Sequence, residues 1–330
     1  MQVFISNLNG ISGTAKIAFD NVASLGRSLG FRDLNLYCLT STSFEPDEEL
    51  NKRMDGIVSG LFYDDVVILQ FPFWSDMRYN YSLMEHITAY NCKVIIFVHD
   101  LRALMFDWGE ENLLNAVKYL NRADVLILPS KAMHDLLITK GLTVEKIVYQ
   151  EVWDYPMNLS FPRPTFKRRL IFTGDAKRFP FVNDWTYETD LDLYSKSVPK
   201  ASCEKVHYMG YTSSDADLFS AIARGGVGLV WATDGQLEYY KYNQPFKAGT
   251  FLAAGVPIIA QHGTNIAGFI EKHDIGYVVD SLDEVDRIMQ SMTEREYKHL
   301  LDNIRGIQFL IQNGYYTRRA LLDAVDLSLS

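Results

Sequence analysis

Lys247-Ala-Gly-Thr-Phe-Leu-Ala-Ala-Gly-Val-Pro-Ile-Ile259 reads as a helix that stops at a glycine and turns at once into a buried strand. Ala253 and Ala254 are small enough to let the helix lie close on a sheet, Gly255 suits a left-handed C-terminal cap, and Pro257 prevents the helix from continuing. Lys247 and Gly249 stand in the opening turn, where unsatisfied N–H groups and the positive end of the helix dipole favour an anion. Two readings stay open on this stretch alone. It is a surface helix packed on a sheet, or it is the seat of a nucleotide diphosphate.

Working outward, short apolar runs alternate with helix-length amphipathic stretches along the whole chain, which marks parallel sheets with crossover helices. Six strands are predicted first, at Val3 to Ser6, Leu34 to Leu39, Val66 to Gln70, Val94 to Val98, Val125 to Leu128 and Ile147 to Tyr149. Helices between them are predicted at Thr14 to Leu29, Pro46 to Leu61, Tyr81 to Tyr90, Glu111 to Leu120 and Ser130 to Lys140, with Ser130 as N-cap. From Trp153 to Arg169 the character changes: three prolines interrupt the chain and Lys167-Arg-Arg169 makes it basic, as in an interdomain linker. A second series places strands near Leu170 to Phe172, Leu191 to Tyr194, Val206 to Met209, Val227 to Trp231, Pro257 to Ala260 and Tyr277 to Val279. Ser281-x-x-Glu284 and Thr293-x-x-Glu296 predict capping boxes, and a last helix follows Gly314. The expected fold class is therefore α/β, with two doubly wound Rossmann-like domains facing a central cleft. The domains are bounded at 1–155 and 170–312, with a linker at 156–169 and a C-terminal helix at 313–330 placed to pack back on the first domain.

Composition narrows the function classes. The 330 residues are 48% hydrophobic and 13% aromatic, enough for two cores. A net charge of −9 argues against a nucleic-acid partner, which needs a concentrated basic surface, yet is compatible with a small phosphate ligand held by a local patch. No run approaches the ~18–20 apolar residues of a membrane span, and the first six residues lack a signal peptide's charged start, so a cytoplasmic location is expected. Cys38, Cys92 and Cys203 are isolated, without zinc or redox spacing, and read as core fillers or bystanders.

Several loops at strand ends carry candidate chemistry. Asn7 to Ala15 contains Gly10 and Gly13, which permit close backbone approach, and Thr14, which can cap a helix or reach a ligand. His99 and Asp100 follow an apolar strand and should stand at the sheet's carboxyl edge, where a histidine exchanges protons near neutral pH and a carboxylate orients it or acts as base. They serve the cleft, or they only close a turn. Phe172 to Phe181 opens the second domain with Gly174, which frees the backbone, and Arg178, whose planar fork suits a diphosphate or a surface carboxylate such as Asp175 or Asp184. Tyr211, ahead of a helix capped by Ser213 or Ser214, can stack on a base or simply pack. Gly225-Gly-Val-Gly228 precedes a strand and reads as a helix stop with close packing. Asp190-x-Asp192 has the spacing of a metal-binding pair, but Asp192 alternates with Leu191 and Leu193 like an exposed strand position; neither it nor Asp64-Asp65 is expected to hold a metal. Neither a G-x-S-x-G elbow nor an H-E-x-x-H helix occurs, which weakens hydrolase readings.

Taken together, Ile5-Ser-Asn-Leu-Asn-Gly10, Lys52-Arg-Met-Asp-Gly-Ile57, Phe97-Val-His-Asp100, Leu104-Met-Phe106, Ala123-Asp-Val125, Pro129-Ser130, Val152-Trp-Asp154, Arg178-Phe179, Gly228-Leu-Val-Trp231, Phe251-Leu-Ala-Ala-Gly-Val-Pro257 and Thr317-Arg-Arg319 resemble GT-B-fold glycosyltransferases. The closer resemblance is to the glucosyltransferases that extend O-linked N-acetylglucosamine (GlcNAc) on bacterial serine-rich-repeat adhesins. It implies a metal-independent cytoplasmic enzyme without cofactor, a homo-oligomer (tetramer or dimer), with UDP-glucose as donor and a GlcNAc-bearing Ser/Thr-rich glycoprotein as acceptor. The first domain would take the acceptor, with His99 or Asp100 as base or sugar anchor, and the second the nucleotide sugar. Thr14, Gly174, Arg178, Tyr211 and the segment Pro245, Phe246, Lys247, Ala248, Gly249 and Thr250 would contact UDP, with Lys247 on the phosphates. Broader retaining members carry a ribose-binding glutamate where this chain has Thr250, which leaves the ribose contact and the stereochemistry open. Another UDP-sugar donor, a UDP-sugar epimerase and a non-catalytic UDP-binding partner subunit remain the competing expectations.

Overall fold

The structure is a computed structural model; it describes residues 1–330 except 40, 107, 160, 201–203 and 213, and no side chain is described at 234. The expectations for Ser213 and Cys203 lie outside the described residues. The chain divides into two compact units, Met1–Gln150 with Tyr316–Ser330, and Glu151–Tyr315.

Unit 1 runs β1 (Val3–Asn9), α1 (Thr14–Ser28), β2 (Arg32–Tyr37), α2 (Asp47–Val58), β3 (Val66–Phe71), α3 (Met77–Thr88), β4 (Lys93–Val98), α4 (Arg102–Met105), α5 (Glu110–Leu120), β5 (Val125–Leu128), α6 (Lys131–Thr139) and β6 (Ile147–Tyr149). All pairings are parallel and the order is β2-β1-β3-β4-β5-β6. The strand order turns back between β1 and β3, where an open sheet of this kind binds its ligands. Strands β3 and β5 are buried at every residue, as interior strands covered on both faces must be, whereas edge strand β2 buries only Leu34 and Leu36. The one-turn helix α4 was not predicted, because four residues are too few to display a helical period.

Unit 2 runs β7 (Arg169–Thr173), β8 (Asp190–Tyr194), β9 (Val206–Gly210), α7 (Asp215–Ile222), β10 (Val227–Val230), α8 (Asp234–Tyr242), α9 (Phe246–Ala253), β11 (Ile258–Gln261), α10 (Ala267–His273), β12 (Gly276–Val279), α11 (Leu282–Ser291) and α12 (Glu294–Gln312). Its order, β12-β11-β10-β7-β8-β9, is that of a dinucleotide-binding sheet, with the reversal between β7 and β10. The last helix, α13 (Tyr315–Leu329), groups with unit 1 from Tyr316 onward, where Gln150 Nε2 donates to Thr317 Oγ1 (3.0 Å) and Lys146 Nζ to the Leu327 carbonyl (2.9 Å). The division falls after Gln150, so the proline-rich segment belongs wholly to unit 2.

Two local expectations are corrected. Asp192 is not on a solvated edge: β8 lies between β7 and β9, so its carboxylate is 3% exposed and pairs with Arg169 Nη1 at 2.5 Å. Only half of the Ser281 capping box forms, because Glu284 Oε2 accepts from the Asp280 amide, whereas the Thr293–Glu296 box is complete. The Asp64-Asp65 pair is structural: Asp65 accepts from the Gln2 and Phe62 amides, and Asp64 from Asn91 in a left-handed turn. The Gly225–Gly228 reading holds. A Cβ on Gly225 would sit 1.9 Å from the Thr165 carbonyl oxygen, and one on Gly228 2.4 Å from the Phe251 ring.

Candidate functional site

In unit 2 the loops after β7 and β10 flank the strand-order reversal, and helix α9 begins beyond β10. Its N-cap is Pro245, which supplies no side-chain cap. The turn is held by the start of the unit: Trp153 Nε1 donates to the Gln244 carbonyl (3.2 Å), Gln244 Nε2 donates to the Glu151 carbonyl, and the Phe246 ring lies 5.5 Å from Tyr155. At the far end, Gln308 and Gln312 donate to the Ala253 carbonyl. The helix is therefore clamped at both ends.

Lys247 is the second residue of α9. Its side chain is half-buried, but its Nζ is closed off from water and has no hydrogen-bond partner among the described residues. It rests on two rings instead, 3.9 Å from the centroid of Phe172 at the end of β7 and 4.1 Å from Phe179 in the loop that follows. Burial, and then the Arg178 guanidinium, hold this amine well below the usual lysine range. A buried amine without a counter-charge is costly to protonate, and groups with strongly shifted pKa values cluster at functional sites.

Gly174 has a different task from the one expected. A Cβ there would meet the Phe172 and Phe179 rings at 2.8 and 2.9 Å, so the glycine makes room for the aromatic floor beneath Lys247. Gly249 likewise lets α9 approach the chain, since its Cβ would lie 2.3 Å from the Trp153 carbonyl oxygen. Ala248 and Thr250 are buried, and the Thr250 hydroxyl donates back to the Phe246 carbonyl (3.3 Å). Within Pro245 to Thr250 only Phe246 and Lys247 are half-buried, and the others are buried.

Arg178 is exposed and forms no salt bridge with a described residue; Asp175 and Asp184 do not hold it. Its backbone is fixed, the carbonyl accepting from Gln236 Nε2 (2.9 Å) and the amide donating to Asp175 (2.9 Å). Tyr211 is 57% exposed after a left-handed Gly210, with Lys196 Nζ 5.0 Å from its ring centroid. Lys247, Arg178 and Gly174 are thus brought together, and Tyr211 follows the edge strand β9 of the same sheet.

Thr14, His99 and Asp100 belong to unit 1. Thr14 is exposed at the start of α1, after Gly13 at φ 76°. His99 does follow β4 at the carboxyl edge, but its ring is 3% exposed and stacked on Phe19 at 4.5 Å, with Phe97 at 4.9 Å. Burial pushes its pKa down to about 3, so it is neutral at physiological pH and does not exchange protons there. Asp100 beside it is half-buried.

Sequence reasoning missed the Trp153–Tyr155 buttress, which was assigned to the first domain. It also missed the paired phenylalanines under Lys247. The signal for the floor was available in Phe172-x-Gly174, a ring and a small residue at the end of a strand.

Both halves of the chain match one family: "Glucosyltransferase 3-like, N-terminal domain" over residues 2–152 and "Glucosyltransferase 3-like, C-terminal domain" over residues 170–324. The chain belongs to the glucosyltransferase 3-like family. Glucosyltransferase 3 of Streptococcus gordonii and that of Streptococcus parasanguinis are each 36% identical to it, over 98% of this chain and 98% of theirs. Among solved structures, Anabaena HepE in complex with UDP-glucose superposes with a TM-score of 0.67 at 12% identity, covering 100% of both chains, which shows a shared fold. The expected GT-B class is thereby established, and the family makes this chain a UDP-sugar-dependent hexosyltransferase. Among the described residues no group of three or more His, Cys, Asp or Glu could hold a metal ion, and no helix is long and apolar enough to cross a membrane.

Proposed function

We propose that this family member transfers glucose from UDP-glucose to O-linked GlcNAc on a serine-rich-repeat glycoprotein, and that unit 2 holds the donor. The observation that carries the donor half is the Lys247 Nζ, buried at a helix N-terminus with no hydrogen-bond partner among the described residues. A pyrophosphate against it would supply the missing counter-charge. The Phe246 and Lys247 amides and the Arg178 fork would complete a cage of donors. When the bond from the sugar to UDP breaks, negative charge collects on the departing phosphate, and these fixed cations stabilise it without reorganising. They take the part that a divalent ion plays in other sugar transferases, so activity is expected to persist in chelator. Tyr211 stacks on the base.

Of the acceptor-side pair, we assign the proton-accepting or anchoring role to Asp100, because His99 is shut into an aromatic stack. The acceptor protein, homo-oligomeric assembly and a cytoplasmic site of action form part of the same proposal. Purified protein assayed against a panel of UDP-sugars, with and without a GlcNAc-peptide and with and without EDTA, tests it. Glucose appearing on the peptide only when both substrates are present supports transfer. A new UDP-sugar formed without acceptor would show an epimerase, and preference for UDP-GlcNAc or UDP-galactose would correct the donor.

A further inference from the structure

The loop after β7 is held from two directions. On one flank the Gly174 amide donates to the Tyr194 carbonyl (3.0 Å) and the Ala176 amide to Ser195 Oγ (3.0 Å), which ties the loop to the end of β8. Within the loop the Lys177 amide donates to the Asp175 carboxylate (2.9 Å), and the Arg178 and Phe179 amides both donate to the Asp175 carbonyl (2.9 and 3.0 Å). From the other flank comes Gln236, the third residue of α8, whose Nε2 donates to the Arg178 carbonyl (2.9 Å). Strand β7 has β8 on one side and β10, which leads into α8, on the other, so this bond crosses the strand-order reversal.

It reaches one particular peptide. The Arg178 carbonyl and the Phe179 amide belong to the same planar unit, so Gln236 at one end and Asp175 at the other fix its orientation. On either side of that unit stand the Arg178 fork and the Phe179 ring. The ring centroid lies 5.5 Å from the Arg178 guanidinium carbon and 4.1 Å from Lys247 Nζ, so one ring is shared by both basic groups. Helix α8 also leads into α9 through Asn243, Gln244 and Pro245. Gln236 therefore joins the elements that carry Arg178 and Lys247. A long exposed arginine loses rotamer freedom when it binds, and less is lost in finding the anion when its backbone is already fixed.

The far end of the glutamine gains nothing for the fold. Its Oε1 is closed off from water with no hydrogen-bond partner among the described residues, and turning the amide over would set that oxygen against the Arg178 carbonyl oxygen. An unpaired buried oxygen offsets what a single hydrogen bond contributes to stability, so the net effect on folding is small.

We propose that Gln236 is a positioning residue for the donor diphosphate, holding the Arg178–Phe179 peptide so that Arg178 and Lys247 meet one anion together. This rests on the reading that unit 2 holds the donor at those two residues.

Gln236→Met keeps the length of the side chain and removes both the donor and the unpaired oxygen. Isothermal titration of UDP into wild type, Gln236→Met, Arg178→Ala and the double variant, with thermal unfolding of each protein free of ligand, tests the proposal. Gln236→Met should weaken UDP binding about tenfold in the wild-type background and roughly threefold or less in the Arg178→Ala background, since the glutamine acts through the arginine. Its unfolding midpoint without ligand should match or exceed that of wild type. Equal losses of affinity in both backgrounds, or wild-type affinity in Gln236→Met while Arg178→Ala binds weakly, would overturn the proposal and leave the donor reading standing. Wild-type affinity in Arg178→Ala would instead remove the Arg178 part of the donor reading, and this proposal with it.

Discussion

The two units use one architecture to make opposite sites. Beside the strand-order reversal of unit 2, the Lys247 amine is placed on an aromatic floor and, among the described residues, has no hydrogen-bond partner. At the carboxyl edge of unit 1 the stacked His99 is neutral, and a neighbouring pocket is lined by tryptophan, asparagine and one arginine spread over two rings. Both sheets are wholly parallel, with different strand orders, and the contrast in chemistry lies in what fills the loops after the strands. In the proposed reading, unit 2 meets an anion at this place.

The sharpest way to break this contrast is to remove the cations. Lys247→Met and Arg178→Ala should each cost about 1.5–3 kcal/mol of UDP binding, or roughly ten- to hundredfold in Kd, because a diphosphate loses a charge-assisted bond. Isothermal titration measures this directly, and wild-type affinity in both variants would end the assignment. Gly249→Ala tests the support beneath the cation. Its methyl group would drive into the Trp153 carbonyl at 2.3 Å, so a loss of roughly 1–3 kcal/mol in thermal unfolding is expected.

A third test uses the sign of the lysine shift. The Lys247 pKa is lowered in the ligand-free fold and would rise beside a diphosphate, so in the pH window between those two values UDP binding takes up a proton. Affinity should therefore fall as pH rises through that window, and Lys247→Met should flatten the dependence. The smallest expected effect lies in unit 1. His99 is neutral when folded, with a pKa of about 3 against 6.5 ordinarily, whereas an unfolded chain protonates it as pH drops below 6.5. Its contribution is intact above 6.5 and is lost as pH falls from there toward 3, by up to about 1.4 kcal/mol per pH unit. His99→Phe should lessen the acid sensitivity of unfolding in that window.

Much of this was legible in the residues. Continuous apolar runs such as Val66 to Gln70 and Val125 to Leu128 announce interior parallel strands, because both faces are covered. Capping signals at Ser130 and Thr293 placed helix starts to the residue. Lys247 was read at a helix N-terminus suited to an anion, and Arg178 as a fork for a diphosphate or for a surface carboxylate. What the residues did not disclose depends on packing between distant segments. Asp192 alternates with leucines as an exposed residue would, and only the position of β8 inside the sheet buries it against Arg169. The burial of His99 needs Phe19 from another element. Gly174 and Gly249 were read as leaving room for a ligand, and they leave room for the protein's own rings and backbone.

The central claim is that Lys247 is a buried amine held without a hydrogen-bond partner among the described residues until an anion meets it. Thermal unfolding of wild type and Lys247→Met, each with and without saturating UDP, tests it in one experiment. The variant without ligand should be more stable than wild type by roughly 1–3 kcal/mol, since an unpaired buried charge is gone, and UDP should stabilise wild type far more than the variant. A variant that is less stable on its own, yet stabilised by UDP as strongly as wild type, would contradict the account.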